Sequence, residues 1–318
     1  MKLRAVELFC GIGGFAAAVA GGNVEVVSAF DQNDAALQVY RHNFPAHGAR
    51  RLDLERVSAA ELAACVAGLW WLSPPCQPYS VRGRQRDLDD PRARSLVRLL
   101  DILEVLPDGE LPRHLALENV PGFARSLARE RLLSVLAARG FEVRERTLCP
   151  TELGVPSRRP RYYLVASRAG LRPPEPLSPQ PLRQLADYLD QRICAAPPEE
   201  LRVPDAVLCR FGGGFRLLDP AAPGSYTTCF TAGYGKSLMH AGAYLRTPAG
   251  VRRFAPEEIA RLLHFPAAFG FPANMTLRRR WHLVGNSLSV IAVREVLRDL
   301  PGVEVGGQAQ LKSPLTFT

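Results

Sequence analysis

The chain has 318 residues, 47% of them apolar, which is enough for one large domain or a large domain with a small companion. No apolar run approaches the roughly 18 to 20 residues of a membrane span, and no signal-peptide pattern opens the chain, so a cytoplasmic protein with no membrane partner is expected. The net charge of +9 favours a polyanionic partner. All but three of the 40 basic residues are arginine, which reflects GC-rich coding as much as function. Seven scattered cysteines, an odd number with no C-x-x-C pair, argue against a disulfide framework and against a zinc site, so no metal is expected.

Residues 3–9 (LRAVELF) read as a short buried strand, followed by a Gly-rich turn at 10–14 and a small-residue helix at 15–20. A second strand at 24–30 ends at Asp31, and a helix follows from about 34 to 42. Residues 69–73 read as a strand stopped by Pro74-Pro75, and residues 95–106 as a helix. A strand at 114–117, a helix at 125–138 and a strand at 162–166 complete the alternation. This pattern predicts an α/β fold with a mostly parallel sheet.

The composition changes near residue 170. Residues 171–225 hold Pro173-Pro174, Pro197-Pro198 and Gly212-Gly213-Gly214, and the alternation stops. The predicted organisation is a Rossmann-like domain over 1–169 and 251–302, with a small irregular domain over 170–250. Pro256 suits the first position of a helix over 257–264. A last helix is expected at 287–300 and a flexible tail at 303–318.

Gly11-Ile12-Gly13-Gly14 lies between a strand and a helix, where glycines admit a ligand close to the backbone and the helix offers free N–H groups. Asp31, 20 residues after Gly11, ends the next strand, where a carboxylate accepts bonds from ribose hydroxyls. These features alone also fit an NAD-dependent oxidoreductase.

Ser73-Pro74-Pro75-Cys76-Gln77-Pro78-Tyr79-Ser80 is more specific. Three prolines fix the backbone around one cysteine at a strand's C-terminal end, where α/β folds build active sites. A nucleophile needs that rigidity, because attack requires a fixed trajectory. Glu118-Asn119-Val120 also follows a strand. Arg159 and Arg161, two apart, would point to one side of an extended segment and so reach one site. The NAD reading leaves all of these without a role. A catalytically dead RNA-binding protein is disfavoured because Cys76, Glu118 and Arg161 are all present.

Together with Gly285-Asn286-Ser287, these motifs resemble those of the cytosine-C5 methyltransferase family, in family order, over most of residues 5–295. Departures are Ser157, where many members have Gln, and His264, where Leu-x-Gly-Phe-Pro is usual. The resemblance implies that Cys76 adds to C6 of cytosine so that C5 attacks the methyl of S-adenosylmethionine, leaving S-adenosylhomocysteine. It implies that Glu118 assists at N3, and that Arg161 and Arg159 stabilise negative charge. The implied cofactor set is Phe9, Gly11, Ile12, Gly13, Gly14, Asp31, Gln32, Asp53, Leu54, Pro75, Asn286 and Ser287. Asp53 reads equally as a helix cap.

Cys229-Phe230-Thr231 before Gly233-Tyr234-Gly235-Lys236 resembles the Dnmt2 branch. That branch methylates cytosine 38 of tRNA, typically tRNA-Asp, and DNA is the alternative substrate. The implied substrate contacts are Gln77, Tyr79, Ser80, Arg84, Asn119, Cys229, Phe230, Thr231 and Lys236. The loop from Tyr79 to Arg94, rich in Arg and Asp, reads either as a lid that contacts phosphates or as a solvated charged loop. A monomer is expected.

Overall fold

Strands buried on both faces of a parallel sheet need continuous apolar runs, and the centre of the sheet has them. In the computed structural model, which describes residues 2–80, 86–237 and 241–306, seven strands form one sheet. They are β1 (Leu3–Leu8), β2 (Val24–Asp31), β3 (Ala49–Arg51), β4 (Leu69–Leu72), β5 (His114–Asn119), β6 (Glu142–Leu148) and β7 (Arg161–Ser167). Their order is β3-β2-β1-β4-β5-β7-β6. The first five run parallel, while β7 is antiparallel to both β5 and β6.

This order gathers the functional segments on one edge. The C-terminal ends of β1, β2, β4 and β5 carry Phe9, Asp31, Ser73 and Glu118, and the reversed β7 begins there with Arg161. The predicted α/β class and mostly parallel sheet are observed. The two peripheral strands β3 (ARR) and β6 (EVRERTL) have charged faces and no apolar run, which is why the sequence pattern did not announce them.

The helices α1 (Gly14–Val19), α2 (Asp34–Asn43), α3 (Ala59–Ala63), α4 (Arg94–Val105) and α5 (Leu127–Ala138) join these strands. All six residues of α1 are buried, as its run of small side chains requires for close packing on the sheet. Asn33 caps α2 by accepting the N–H groups of Ala35 and Ala36. The main core joins Leu8, Phe30, Trp70, Leu72, Leu99, Leu117, Phe123 and Leu164, each at most 1% exposed. Trp71 stacks on Phe15 of α1 at 5.2 Å.

The chain divides into two compact units, the first comprising 1–148, 160–176 and 292–307, the second 149–159 and 177–291 among its described residues. Residues 251–291, expected with the catalytic domain, therefore group with the second unit. The second unit holds α6 (Gln191–Ala195), α7 (Asp205–Phe211), β8 (Leu217–Leu218), β9 (Tyr244–Thr247), β10 (Gly250–Arg253), α8 (Pro256–Leu262) and α9 (Leu277–Gly285). Its core is aromatic: Tyr234 meets Phe230 and Trp281 edge-on, and Trp281 donates to the Phe254 carbonyl at 2.8 Å. These bonds explain the grouping, because the 254–281 stretch shares its core with the 230–234 stretch. Arg252 and Glu258, both fully buried, pair through two 2.8 Å bonds, and Glu258 also accepts the Ala255 N–H at the start of α8.

The last helix, α10 (Val290–Leu297), is shorter than expected. Its Arg294 donates to the carbonyls of Ala17 and Ala18, the orphan acceptors at the end of α1. Residues 303–306, expected to be loose, are pinned: Glu304 and Asn23 exchange hydrogen bonds, and Val303 is buried. The rest of the predicted tail lies outside the described residues. No described helix is long and apolar enough to cross a membrane, and no described cluster of side chains suits a metal ion.

Candidate active site

The loop after β1 turns sharply, with Phe9, Gly11 and Gly13 all at positive φ (59°, 51° and 88°). Gly13 needs its hydrogen, because a Cβ there would stand 2.5 Å from the Phe44 ring. Gly11 differs: a Cβ would meet nothing within 4 Å, so open space lies beside this backbone. Asp31 is fixed by two backbone donors, Gly11 N–H to Oδ2 and Asn33 N–H to Oδ1, both at 2.8 Å. Burial raises its pKa. Gln32 donates to Asp53 Oδ1 at 2.8 Å, so the ends of the two neighbouring strands are joined. Asp53 also accepts the Glu55 N–H and so opens a turn, while Ser58, not Asp53, caps the following helix α3. Ile12 and Leu54 are 1% exposed and serve packing.

Beneath this loop, the fully buried Glu7 accepts the Phe15 N–H at 3.1 Å and pairs with the Tyr40 hydroxyl at 2.9 Å. The same hydroxyl meets Nδ1 of His47 at 3.1 Å. Burial pushes the Glu7 carboxyl up to about 8. Cys10 is buried, and desolvation together with Glu7 and Asp31 pushes its thiol well up.

The nucleophile loop is held at both ends. Ser73 N–H continues the β4 pairing onto Leu8 O, and the buried Asn119 donates from Nδ2 to Pro74 O at 3.1 Å. Asn119 thereby ties the residue two before Cys76 to the strand that carries Glu118. Cys76 itself is partly exposed. Gly122 lies so close that a Cβ would stand 2.1 Å from Tyr79 O. Tyr79, expected at the substrate, is instead 4% exposed and packs edge-on against Phe123 at 4.8 Å. Tyr79 N–H bonds to Cys76 O, and this turn directs the ring into the core. Gln77 is exposed and Ser80 partly so.

Arg161 Nε lies 3.2 Å from Glu118 Oε1, with the two side chains 14% and 12% exposed. Antiparallel pairing of β5 with β7 places them side by side. Thus Cys76, Glu118 and Arg161 occupy one edge of one sheet. Arg92 was legible in the sequence only as one cation of a basic loop. Its guanidinium grips Asp90 through bonds of 2.7 and 2.8 Å. That bond chiefly raises its pKa, and the nearby Cys76 thiol adds to the effect. Asp87 accepts the N–H groups of Leu127 and Ala128 and so caps α5 from 40 residues away. The charged loop is therefore anchored at this end. Arg84 lies outside the described residues.

The other predicted residues belong to the second unit. Arg159, 5% exposed, donates to Cys229 Sγ at 3.0 Å, to Phe230 O at 3.2 Å and to Ser287 O. Arg161 begins a strand and faces Glu118, but 158–160 are not in a strand, so strand alternation does not govern Arg159, whose guanidinium follows these acceptors instead. Arg159 ties the Cys-Phe-Thr segment to the Gly-Asn-Ser segment. The two also meet directly, since a Cβ on Gly285 would stand 2.5 Å from the Thr231 backbone. Phe230 is buried among Tyr234 and Phe254, and Thr231 Oγ1 accepts the Gly233 N–H of the next turn. Asn286 is exposed and meets His282 at 3.4 Å, while Lys236 is exposed.

Residues 3–202 match the model of the C-5 cytosine-specific DNA methylase family. A Bos taurus protein named tRNA (cytosine(38)-C(5))-methyltransferase is 30% identical, over 94% of this chain and 99% of its own length. A Dictyostelium discoideum protein named DNA (cytosine-5)-methyltransferase is 28% identical over 94% of each. Among solved structures, the Dnmt2 methyltransferase of S. pombe superposes with a TM-score of 0.80 at 28% identity, covering 93% of this chain and 98% of that one.

Proposed function

Since the chain belongs to the C-5 cytosine-specific methylase family, in its Dnmt2 branch, we propose that it methylates C5 of cytosine 38 in a tRNA anticodon loop with S-adenosylmethionine. The observation that carries this reading is the shared edge of Cys76, Glu118 and Arg161, with Asn119 tying the nucleophile loop to the Glu118 strand.

The first unit fits the cofactor. Open space beside Gly11 leaves room for a ligand against the backbone. The Asp31 carboxylate accepts backbone N–H groups that include those of Gly11 and Asn33, and its four lone-pair sites leave capacity for a ribose hydroxyl. Phe9, Gly11, Gly13, Asp31, Gln32 and Asp53 are the residues that would hold it. When bound, S-adenosylmethionine supplies an electrophilic methyl group.

The protein's part follows from the geometry. The Cys76 thiolate forms a bond to C6, and the electron pair of the C5–C6 double bond moves onto C5, which takes the methyl. In its protonated form Glu118 donates a hydrogen bond to N3 and so draws the added charge into the ring. Arg161 fixes the Glu118 carboxyl and places positive charge where electrons accumulate. A water molecule takes the C5 proton, the C5–H electron pair re-forms the C5–C6 double bond, and the C6–S bond breaks, which restores the aromatic ring and the thiolate. The base must leave its stack to reach Cys76, which costs least in an unpaired loop. A monomer acting in the cytoplasm belongs to the same reading.

The substrate rests on the names of relatives, and the family model and the Dictyostelium relative favour DNA as the second reading. Methyl transfer from labelled cofactor to total tRNA and to genomic DNA, with Cys76→Ala as control, decides. Label in tRNA alone, absent from the control, is expected. Label in DNA alone would retain the chemistry and overturn the substrate.

A further inference from the structure

Charge in the second unit is divided along the chain. Residues 183–205 hold three basic and five acidic side chains. Residues 206–256 hold six basic side chains and Asp219 as their one acid, and residues 259–291 hold four basic side chains and no acid. Glu257 and Glu258, which stand between these two stretches, are paired with Arg280 and Arg252. The stretch from Tyr226 to Lys236 lies within the basic part and contains Cys229.

The fold concentrates cations at both ends of that stretch. At its far end Lys236 N–H bonds to Gly233 O and closes a tight turn. A Cβ on Gly235 would stand 2.9 Å from the Trp281 ring and 3.4 Å from Arg278 Cα, so the turn lies directly on α9. Lys236 follows this contact directly and so lies near the start of α9, which carries Arg278 and Arg279, and all three are exposed. At the near end, Arg158 N–H bonds to Thr227 O, and its side chain is exposed. The exposed Arg216 guanidinium lies 4.9 Å over the Tyr226 ring. No ion pair to a carboxylate neutralises any of these five cations among the described residues. Arg280, the next residue of α9, does have such a pair with Glu257, so the omission is not general to the helix.

We infer that Arg158 and Arg216 at one end, and Lys236, Arg278 and Arg279 at the other, form a track for the phosphate backbone of RNA on either side of the Cys229 segment. This rests on the tRNA reading and adds where the polynucleotide is gripped. Guanidinium and ammonium groups without carboxylate partners gain most from phosphates, because each phosphate they neutralise releases condensed counterions. An arginine stacked on tyrosine holds a flat pair against which a splayed base can lie. Such contacts position the strand and carry no sequence information. The track thus supplies affinity, and the choice of base remains with the edge bearing Cys76.

The test is tRNA affinity of the full chain over a potassium chloride series. Lys236→Ala/Arg278→Ala/Arg279→Ala and Arg158→Ala/Arg216→Ala are compared with Arg183→Ala/Arg192→Ala from the acidic part of the same unit. Removing one cation from a phosphate lowers the slope of log Kd against log salt by about 0.7 to 0.9. The triple variant is expected to lower that slope by about two and to raise KM for tRNA at least tenfold. The Arg183/Arg192 variant should keep the wild-type slope. Arg278→Lys/Arg279→Lys, which retains charge, should keep it too. If the triple variant does not fold, Arg279→Glu alone gives the same reading. A wild-type slope in both track variants would overturn the inference while tRNA methylation stood. Wild-type transfer to DNA and not to tRNA would instead remove the reading on which it rests.

Discussion

The two units use the same backbone devices for different ends. In the first, the tight turns of the cofactor loop leave space beside Gly11, and the polar groups at the strand ends retain capacity for a ligand. In the second, close approach is consumed by packing: Gly285 lies on Thr231, and Arg159 spends its guanidinium on Cys229, Phe230 and Ser287. The charges separate likewise. The first unit pairs Arg161 with Glu118 at its site edge, whereas the second leaves Arg158, Arg216, Lys236, Arg278 and Arg279 without a carboxylate partner among the described residues. Reaction chemistry therefore belongs to the first unit, and architecture with polyanion contact to the second.

The sharpest way to break that division is at the nucleophile. Cys76→Ala should lower turnover at least about 10⁴-fold, because no other group can form the bond to C6. S-adenosylhomocysteine should still raise the melting temperature of this variant. Residual methylation near the wild-type rate would assign the nucleophile elsewhere.

The two arginines of Arg159-Pro160-Arg161 give the next contrast. Arg161→Ala should lower kcat about 10² to 10³-fold through lost charge stabilisation, with a small change in Tm. Arg159→Ala leaves buried acceptors unpartnered and should destabilise the fold by about 2–4 kcal/mol. Measuring Tm and kcat on both variants tests the separation. If Arg159→Ala melted like the wild type and lost only kcat, Arg159 would belong to the chemistry after all.

Alanine at two glycines compares the units directly. Gly285→Ala must displace the Thr231 backbone and should cost about 2–3 kcal/mol by overpacking. Gly11→Ala meets no atom, so its cost is the strain of φ +51°, about 1 kcal/mol. Its main effect should be on cofactor affinity. Urea denaturation and cofactor titration of each variant report the two effects separately.

Much of the first unit was legible, because β1, β4 and β5 are rich in apolar residues and each ends in a motif whose residues need a fixed position. The polar edge strands β3 and β6 were not, since strands outside the centre carry no apolar run. Asp87 capping α5 is a contact across 40 residues of sequence, and no local pattern announces it. The second unit read as irregular because proline and glycine interrupt it. Its core rests on single aromatic residues, Tyr188, Tyr234, Tyr244 and Trp281, which have no periodicity to detect. Arg159 shows the limit at one residue: spacing gave its neighbour's direction, but a side chain in a non-strand segment follows its hydrogen-bond acceptors.

Glu7 carries the effect most specific to the first unit. Its carboxyl has a pKa near 4.5 when solvated and about 8 in the fold, raised by burial. A raised acid favours the folded state in its neutral form, so its contribution is fully present below about pH 4.5 and is lost as pH rises through about 8. Within that window stability should decline by up to about 1.4 kcal/mol per pH unit from this group. His47, at the other end of the Tyr40 bridge, has a pKa lowered by burial and acts in the opposite sense, losing stability as pH falls below its ordinary range. Glutamine at position 7 keeps an acceptor for Phe15 N–H and a donor toward Tyr40 while removing the charge. Urea denaturation at pH 5, 6.5 and 8 should therefore show a flatter stability profile for Glu7→Gln than for the wild type, with the gap widest at pH 8. Parallel profiles would mean that Glu7 is held ionised by the α1 amides, and that the buried network beneath the cofactor loop carries charge throughout.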